Sequence, residues 1–366
     1  MGFLSGYEYV IEKCDSFKIA RLILRLLSTD LMKALFTHIT KAFKGTVILM
    51  LLTTIYVFSQ NAPGPSIQYV EVVPAKLLSS RCIVLFNHAC KQTDLEEAQK
   101  AFQQIGIDAI AYFQTDAVLA GKDIIKAYTE YFTSRQITYL LFFDKISTGY
   151  QITGVTFDQK PSLFDAALPA WRVQKPRLNE MLRTIFQDSW RSQKKQNFLI
   201  NEYPETDIVV DPVKGGRREF YAIDLKVDNL AVPKFGNEAM DKELEQFFSA
   251  NYFLKYKLTE TGTAETELRK QGFNYVLCYV HTRGKAAKEV LGYDMSKNES
   301  TYASITFPEG QLQLKMISDE IQVYKFYFRH IDNGNIFLGT KWDADVTWLD
   351  ALRNHVLAFK TEAKID

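Results

Sequence analysis

Alternating apolar residues and helically spaced apolar residues predict the elements of the first part of the chain body. Four strands are expected, at 82–86, 107–113, 139–143 and 151–157. Helices with one apolar face are expected at 94–105, at 116–136 and, interrupted near Pro169 and Pro176, at 162–194. Asp94 is expected to cap the first helix, Gly106 to end it, and a turn at Thr148-Gly149 to close a β-hairpin between the last two strands.

The second part of the body shows a similar alternation of patterns. Strands are expected at 273–280, 301–307, 311–317, 324–328 and 336–342, and helices at 237–258, 263–271, 284–291 and 346–356. Asn333-Gly334 is a strong signal for a type I′ turn between two strands. These elements predict an α/β fold with mixed sheets.

Two stretches of the body resemble each other, which predicts an internal duplication. At a constant offset of 185, residues 137–166 match 322–351 at eight of thirty positions, including Gly149 with Gly334 and Asp158 with Asp343. Upstream, 106–112 aligns with 272–278 at an offset of 166. We therefore expect two similar α/β units, 60–200 and 201–366, after an N-terminal segment 1–59. The alternative is two unrelated units that share common turn chemistry.

The N-terminal segment carries a pattern typical of export. Lys41 and Lys44 precede 13 mostly apolar residues, 46–58, and Val57 and Ser59 fit the positions before a signal-peptide cleavage site. A membrane-spanning helix needs about 20 apolar residues, so the run is short for a crossing. The sequence predicts cleavage after Ser59, with translation starting at Met32, and a periplasmic or cell-envelope location.

An uncleaved anchor is the main alternative for this segment. Ile19, Leu22, Ile23, Leu26 and Leu27 recur at helical spacing among basic residues, as in a helix that lies on a membrane surface. Residues 1–59 would then hold the protein at the membrane. A buried core helix is a third possibility.

Charge balance argues against a nucleic-acid partner. Seven of the 44 basic residues and four of the 43 acidic residues lie in 1–59, so the remainder holds 37 basic and 39 acidic residues. Nucleic-acid binding normally needs a basic surface that displaces counterions from phosphates. Cys82, Cys90 and Cys278 in the body are odd in number, which predicts at least one free thiol, and no cysteine spacing typical of zinc sites occurs.

Two turns that follow predicted strands are candidate ligand-binding sites. Asn87 and His88 follow the first strand, and His281, Arg283 and Lys285 follow the strand 273–280 at the start of a helix. Ligands of α/β proteins bind beyond the carboxyl ends of strands, where helix N-termini present free N–H groups. Arg283 and Lys285 would favour an anion, and His281 could transfer protons. The alternative is a surface turn that binds no ligand and whose charges are solvated.

A second constellation suggests metal-dependent chemistry. Asp207 on one expected strand leads through a basic turn to the expected strand 220–226, which carries Asp224 and Lys226. An acid on one strand, a turn and then Asp-x-Lys on the next strand resemble the core of PD-(D/E)xK nucleases. The resemblance covers about 177–228 and departs from the common form by having Asp where Glu is usual. It implies two carboxylates that bind Mg²⁺, a lysine that positions the attacking water, and Glu180 as a third acid.

The sequence therefore favours an exported binding or interaction module without catalytic residues, metal or cofactor. Its expected partner is an unidentified small molecule or an envelope protein, bound near Asn87, His88, His281, Arg283 and Lys285. Nucleic acid is not expected, and the membrane is a partner only if 1–59 is retained. The alternative is a Mg²⁺-dependent nuclease that uses Asp207, Asp224, Lys226 and Glu180. No Gly-x-Ser-x-Gly, His-Glu-x-x-His or complete phosphate-loop motif is present.

Overall fold

A computed structural model describes the body of the protein. It covers residues 67–74, 76–191, 200, 203–205, 208, 210–294, 302–306 and 311–365. The predicted export segment and Asp207 lie outside these described residues. Ile67–Asp366 forms one compact unit.

The first half of this unit contains six strands and four helices. In chain order they are β1 (Tyr69–Val70), β2 (Arg81–Phe86), α1 (Gln92–Ile105), β3 (Asp108–Gln114), α2 (Thr115–Val118), α3 (Lys122–Ser134), β4 (Ile137–Ile146), β5 (Gly149–Thr156), β6 (Ala170–Lys175) and α4 (Leu178–Arg191). The four predicted strands are thus confirmed as β2 to β5. β1 and β6 were not expected.

The second half has eight described strands and four described helices. They are β7 (Arg217–Arg218), β8 (Leu230–Pro233), α5 (Glu238–Asn251), β9 (Tyr256–Thr259), α6 (Glu265–Lys270), β10 (Tyr275–Arg283), α7 (Gly284–Val290), β11 (Tyr302–Thr306), β12 (Leu312–Met316), β13 (Gln322–His330), β14 (Ile336–Phe337) and α8 (Trp348–Glu362). Strands β11 and β12 form a separate two-stranded ribbon. The fold is α/β with mixed sheets, as the sequence predicts.

The two six-stranded sheets have the same strand order and the same strand directions. The first has the order β1-β6-β5-β4-β2-β3 and the second β7-β14-β13-β10-β8-β9. In both, the central strand pairs in parallel on one side and antiparallel on the other. By position, β4 therefore corresponds to β10 and β5 to β13. The offset of 185 instead aligns β4 with β13, so the alignment of residues 137–166 with 322–351 is wrong by one strand. The two segments resemble each other because both are hairpins with glycine turns and alternating apolar residues.

Three large apolar cores of the described residues separate the molecule into layers. Helices α1 and α4 cover the outer face of the first sheet, and α5 and α8 cover the outer face of the second. The third core lies between the sheets, where Ile124, Tyr128 and Phe132 of α3 meet Ile83 of β2 and Val276 of β10. Since α3 packs on both sheets, the halves share one apolar core.

Local chemistry explains where several elements differ from their predicted bounds. Helix α1 begins two residues before Asp94, whose carboxylate accepts a hydrogen bond from the Lys91 N–H at 3.0 Å. Asp94 thus closes a capping box from inside the helix and is not the cap itself. The helix expected at 116–136 is two helices, since Gly121 lies so close to β10 that a Cβ there would stand 2.9 Å from the Tyr279 carbonyl oxygen.

Two expected helices contain strands. The segment between Pro169 and Pro176 is β6, in which Trp171 and Val173 are buried on alternate positions. The helix expected at 237–258 ends at Asn251, and β9 follows and pairs with β8 in parallel. Both strands are short, and their apolar residues fit either period. No helix among the described residues is long and apolar enough to cross a membrane.

Candidate ligand-binding cleft

The structure brings His88 and Arg283, two of the sequence-predicted site residues, to the same carboxylate. Asp116 of α2 accepts a hydrogen bond from Arg283 Nε at 2.6 Å, and its Oδ2 lies 3.7 Å from His88 Nδ1. Asp116 also accepts, through its main-chain oxygen, a bond from the Thr282 hydroxyl at 2.7 Å. This Asp116 cluster joins the carboxyl end of β2 to that of β10, and sequence reasoning missed Asp116 itself.

The Asp116 cluster offers little to an anion. The buried guanidinium of Arg283 also donates to Glu320 at 2.8 Å, so two carboxylates balance its charge. The first N–H groups of α7 are occupied too, because Gly284 donates to the Ile321 oxygen and Lys285 to the Asp319 oxygen, both at 3.1 Å. The geometry therefore favours a structural contact between the halves over the anion site expected from the sequence.

The remaining predicted ligand residues occupy partly buried and exposed positions. Asn87 links the ends of β2 and β4, donating to the Lys145 oxygen at 3.0 Å and accepting from the Lys145 N–H at 3.2 Å. His281 stacks on Tyr324 at 3.8 Å between ring centroids, and its N–H donates to the Ala120 oxygen. Partial burial lowers the pKa of His281, so its ring is neutral at pH 7. The Lys285 side chain is exposed.

The strand on which the nuclease resemblance depends is absent. Asp224 and Lys226 lie in a single 3-10 turn, Ile223–Lys226, because the Leu225 side chain turns into the core and no ladder partner is present. Asp224 accepts a bond from the Tyr275 hydroxyl at 3.4 Å, while Glu180 pairs with Arg177 on α4 in the other half. Within the described residues, which exclude Asp207, no group of three or more acids, histidines or cysteines is placed to bind a metal.

All three body cysteines are free thiols. Burial raises the pKa of Cys90 to about 11, and it raises the pKa of Cys82 and Cys278 as well. For Cys278 the nearby Asp123 carboxylate raises the pKa further. The thiols are therefore protonated at neutral pH, and a thiolate nucleophile is not favoured at these positions.

A concave cleft with a mostly apolar lining lies at the carboxyl ends of β8 and β9. Its volume is about 690 Å³. The first half contributes the start of α3, with Lys122, Asp123 and Lys126, and the second half contributes strand ends, the start of α6 and the middle of β10. Apolar and aromatic side chains form much of its wall: Ile125, Phe235, Leu244, Leu268, Val276, Leu277, Tyr279 and Phe326.

Ion pairs neutralise most charges of the cleft. Arg329 pairs with Asp123 at 3.3 Å and with Glu265 at 2.7 Å, and Lys234 pairs with Glu260 at 2.6 Å. Lys122 and Lys126 are exposed and form no ion pair with another described residue. Two positive charges are thus left for a ligand at the α3 side of the cleft.

Two buried polar atoms in the cleft lining have no hydrogen-bond partner in the part of the chain that the structure describes. They are the Thr259 hydroxyl and the Arg329 Nε. Both can donate a hydrogen bond, and an unmade bond of this kind costs about 1–3 kcal/mol. A ligand with an acceptor atom beside either group would remove that cost at that position.

A row of aromatic rings leads from the cleft to His281. Phe235 and Tyr279 line the cleft with ring centroids 5.6 Å apart, and Tyr279 continues at 6.0 Å to Tyr324, which stacks on His281. This aromatic row lies on the outer face of the second sheet. It connects one predicted ligand residue to the cleft, although the sequence located the site at the other end of the row.

A separate network of charges is buried beside the outer core of the second half. Lys325 of β13 pairs with Asp343 at 2.5 Å, Asp343 pairs with His355 Nδ1 at 2.9 Å, and the Tyr221 hydroxyl donates to Asp343 at 3.2 Å. The side chains of Lys325, Asp343 and His355 are almost fully inaccessible to solvent. We call this set the Asp343 network. None of its residues lines the cleft at β8 and β9.

Comparison with known proteins does not assign these sites to a family. No protein-family model matches the chain, and no curated protein matches it significantly. The functional argument therefore depends on the geometry of the cleft.

Proposed function

We propose that the chain is an exported binding module of the cell envelope, which holds a small amphipathic molecule in the cleft. The position of the cleft carries the proposal. It lies at the carboxyl ends of two parallel strands, where α/β sheets bind ligands. Its volume of about 690 Å³ falls within the range of small-molecule sites, roughly 300–1,000 Å³.

The lining defines the class of ligand. Aromatic and aliphatic walls favour an apolar body, and the Thr259 hydroxyl and Arg329 Nε favour acceptor atoms on it. Lys122 and Lys126 at the rim favour one anionic group, because no carboxylate among the described residues pairs with them. The ligand is therefore expected to be an aromatic or aliphatic molecule with a single carboxylate, sulfonate or phosphate.

Binding of 1-anilinonaphthalene-8-sulfonate to the native protein tests this assignment, since this probe has apolar rings and one sulfonate. We expect saturable fluorescence enhancement that Ala264→Trp abolishes by filling the mouth of the cleft. Lys122→Glu/Lys126→Glu should weaken binding about tenfold, or about 1.4 kcal/mol.

Two matched variants serve as controls. Thr266→Trp places the same ring on α6 outside the cleft lining, and Lys285→Glu reverses a charge at the site expected from the sequence. Both should bind the probe like the wild type. Unchanged binding by Ala264→Trp would show that the probe does not occupy the cleft. Loss of binding in Lys285→Glu would indicate that the probe binds at the start of α7, as the sequence predicts.

The export part of the proposal is supported by the sequence pattern of residues 41–59. Intact mass spectrometry of the protein from fractionated cells should find a species that begins at Gln60 in the envelope fraction. A full-length species retained at the membrane would favour the anchor, and a full-length soluble species would contradict export.

A duplication origin for the two halves is also part of the proposal. It is supported by the order and directions of the six strands, which are the same in both halves. The ribbon β11–β12 and helix α7 would then be an insertion in the second copy, between the strands that correspond to β4 and β5.

A further inference from the structure

The ribbon β11–β12 exposes an uncharged apolar face. Tyr302, Leu312, Leu314 and Met316 are 45–74% exposed. The register of the ribbon, with Tyr302 opposite Met316 and Ser304 opposite Leu314, places these four on one face. Exposed single apolar residues are common, but a contiguous stripe of this kind indicates an interaction surface. We call it the ribbon stripe.

The opposite face of the ribbon is fixed to the body of the protein. Ala303 is buried with Val323 and Ala344, and the Ser304 N–H donates to the Trp342 oxygen at 2.7 Å. Lys315, the one charged residue of β12, bonds both oxygens of the buried Asp345 at 2.7 and 3.0 Å. The stripe therefore cannot fold back onto the body, and the Lys315 charge is held away from it.

We propose that the ribbon stripe is the contact of a homodimer, in which two copies pack stripe against stripe about a twofold axis at Leu314. An isologous contact needs a self-complementary patch. When the two stripes run antiparallel, Leu314 contacts Leu314 of the second copy, and Leu312 contacts Met316 of the second copy. None of these residues is charged, so the contact buries no charge.

Charge selects a second copy over a lipid surface. The two carboxylates at the end of the ribbon are already paired, Glu320 with Arg283 and Asp319 with Lys288, both at 2.8 Å. Membrane-surface elements usually carry unpaired lysine and arginine that attract anionic headgroups, and the four residues of the stripe carry no charge.

The area of the stripe sets the strength of the dimer. With roughly 200 Å² for each large side chain, the four residues expose roughly 470 Å² per copy, or roughly 940 Å² for the pair. Specific stable interfaces bury about 1,200–2,000 Å² in total. The dimer is therefore expected to be weak and to form at micromolar concentrations.

Sedimentation velocity of the protein as purified from its cells, at about 1–200 μM, should show reversible doubling of the mass. Leu314→Asp should raise the dissociation constant at least tenfold. Val227→Asp is the matched control, since Val227 is 69% exposed and lies outside the ribbon, and it should dimerise like the wild type.

Leu314→Cys keeps the test valid if the charged variant disturbs the ribbon. Under oxidation it should form a disulfide-linked dimer across the axis, and Val227→Cys should not. A monomer throughout the concentration range would overturn the proposal, as would a dimer that neither Leu314 variant affects. A monomer whose binding to phosphatidylcholine and phosphatidylglycerol vesicles is lost in Leu314→Asp would also overturn it, in favour of a membrane contact.

Discussion

Asp343→Ala should lower the free energy of unfolding by about 3–5 kcal/mol, the largest effect expected of a single charge in this protein. Asp343 is the only carboxylate that contacts both Lys325 and His355 in the described network. Its removal leaves a buried ammonium with the Leu338 carbonyl oxygen as its main remaining partner. Urea unfolding followed by circular dichroism measures the loss.

A surface carboxylate provides the control for this experiment. Asp188→Ala removes the acid of an exposed pair with Arg191 and should cost at most about 1 kcal/mol. The double variant Lys325→Met/Asp343→Leu should be more stable than Asp343→Ala, because it removes the buried charge together with its partner. A loss below about 1 kcal/mol in Asp343→Ala would mean that the network does not stabilise the fold.

The same network should make stability depend on pH. Burial lowers the pKa of His355. Its Nε2 has no hydrogen-bond partner within the described residues, so a proton added to this nitrogen would find no acceptor. The unfolded chain, with a histidine pKa of about 6.5, then binds more protons than the folded chain. Stability is full above pH about 6.5 and falls on acidification.

Asp343 adds to this loss at lower pH. Burial opposes its ionisation, but Lys325 and His355 outweigh burial and hold its pKa below the usual range. Its contribution is therefore present above pH about 3.9 and disappears as the pH falls through the lowered value. His355→Gln should flatten the change in urea midpoint between pH 7.5 and 5, and an unchanged slope would assign that dependence to other groups.

Phe132→Ala should cost about 3–5 kcal/mol and destabilise both halves together. Phe132 is fully buried on α3, in contact with the rings of Phe113, Tyr128, Tyr131 and Phe157. Because α3 packs on both sheets, the cavity weakens the core that the halves share. Unfolding followed by tryptophan fluorescence and by circular dichroism should give coincident transitions.

An exposed phenylalanine gives the matched comparison. Phe253→Ala removes a ring that contacts Lys360 at the surface and should cost at most about 1 kcal/mol. Two separate transitions in Phe132→Ala would show that the halves unfold independently, which contradicts a shared core.

Long apolar runs made the central strands predictable from the sequence. Strands β2, β4 and β10 are largely buried on both faces, which explains why apolar residues follow one another along them without alternation. Strands β7 and β14 have two residues each, which is too few to show a period. Strand β6 lies within the helix expected at 162–194, where Pro169 and Pro176 indicate an interruption but do not reveal that a strand separates them.

The candidate site was less predictable than the fold. The sequence identified His88 and Arg283, which the fold brings to Asp116, but the cleft draws Lys122, Thr259 and Arg329 from distant positions without a local motif. One signal for the Asp343 network was present in the sequence. Lys325 stands within the aromatic run 324–328, where an inward lysine needs a buried acid.

The order of strands also determines when each sheet can be completed during synthesis. Strand β1 pairs with β6, and β7 pairs with β14, so the first strand of each half finds its partner only in the last. Such pairing between distant residues forms late, because the intervening chain must close before any bond is made. A growing chain therefore leaves its first sheet open until Lys175 has been added, and for that time its unpaired strand edges remain accessible to chaperones.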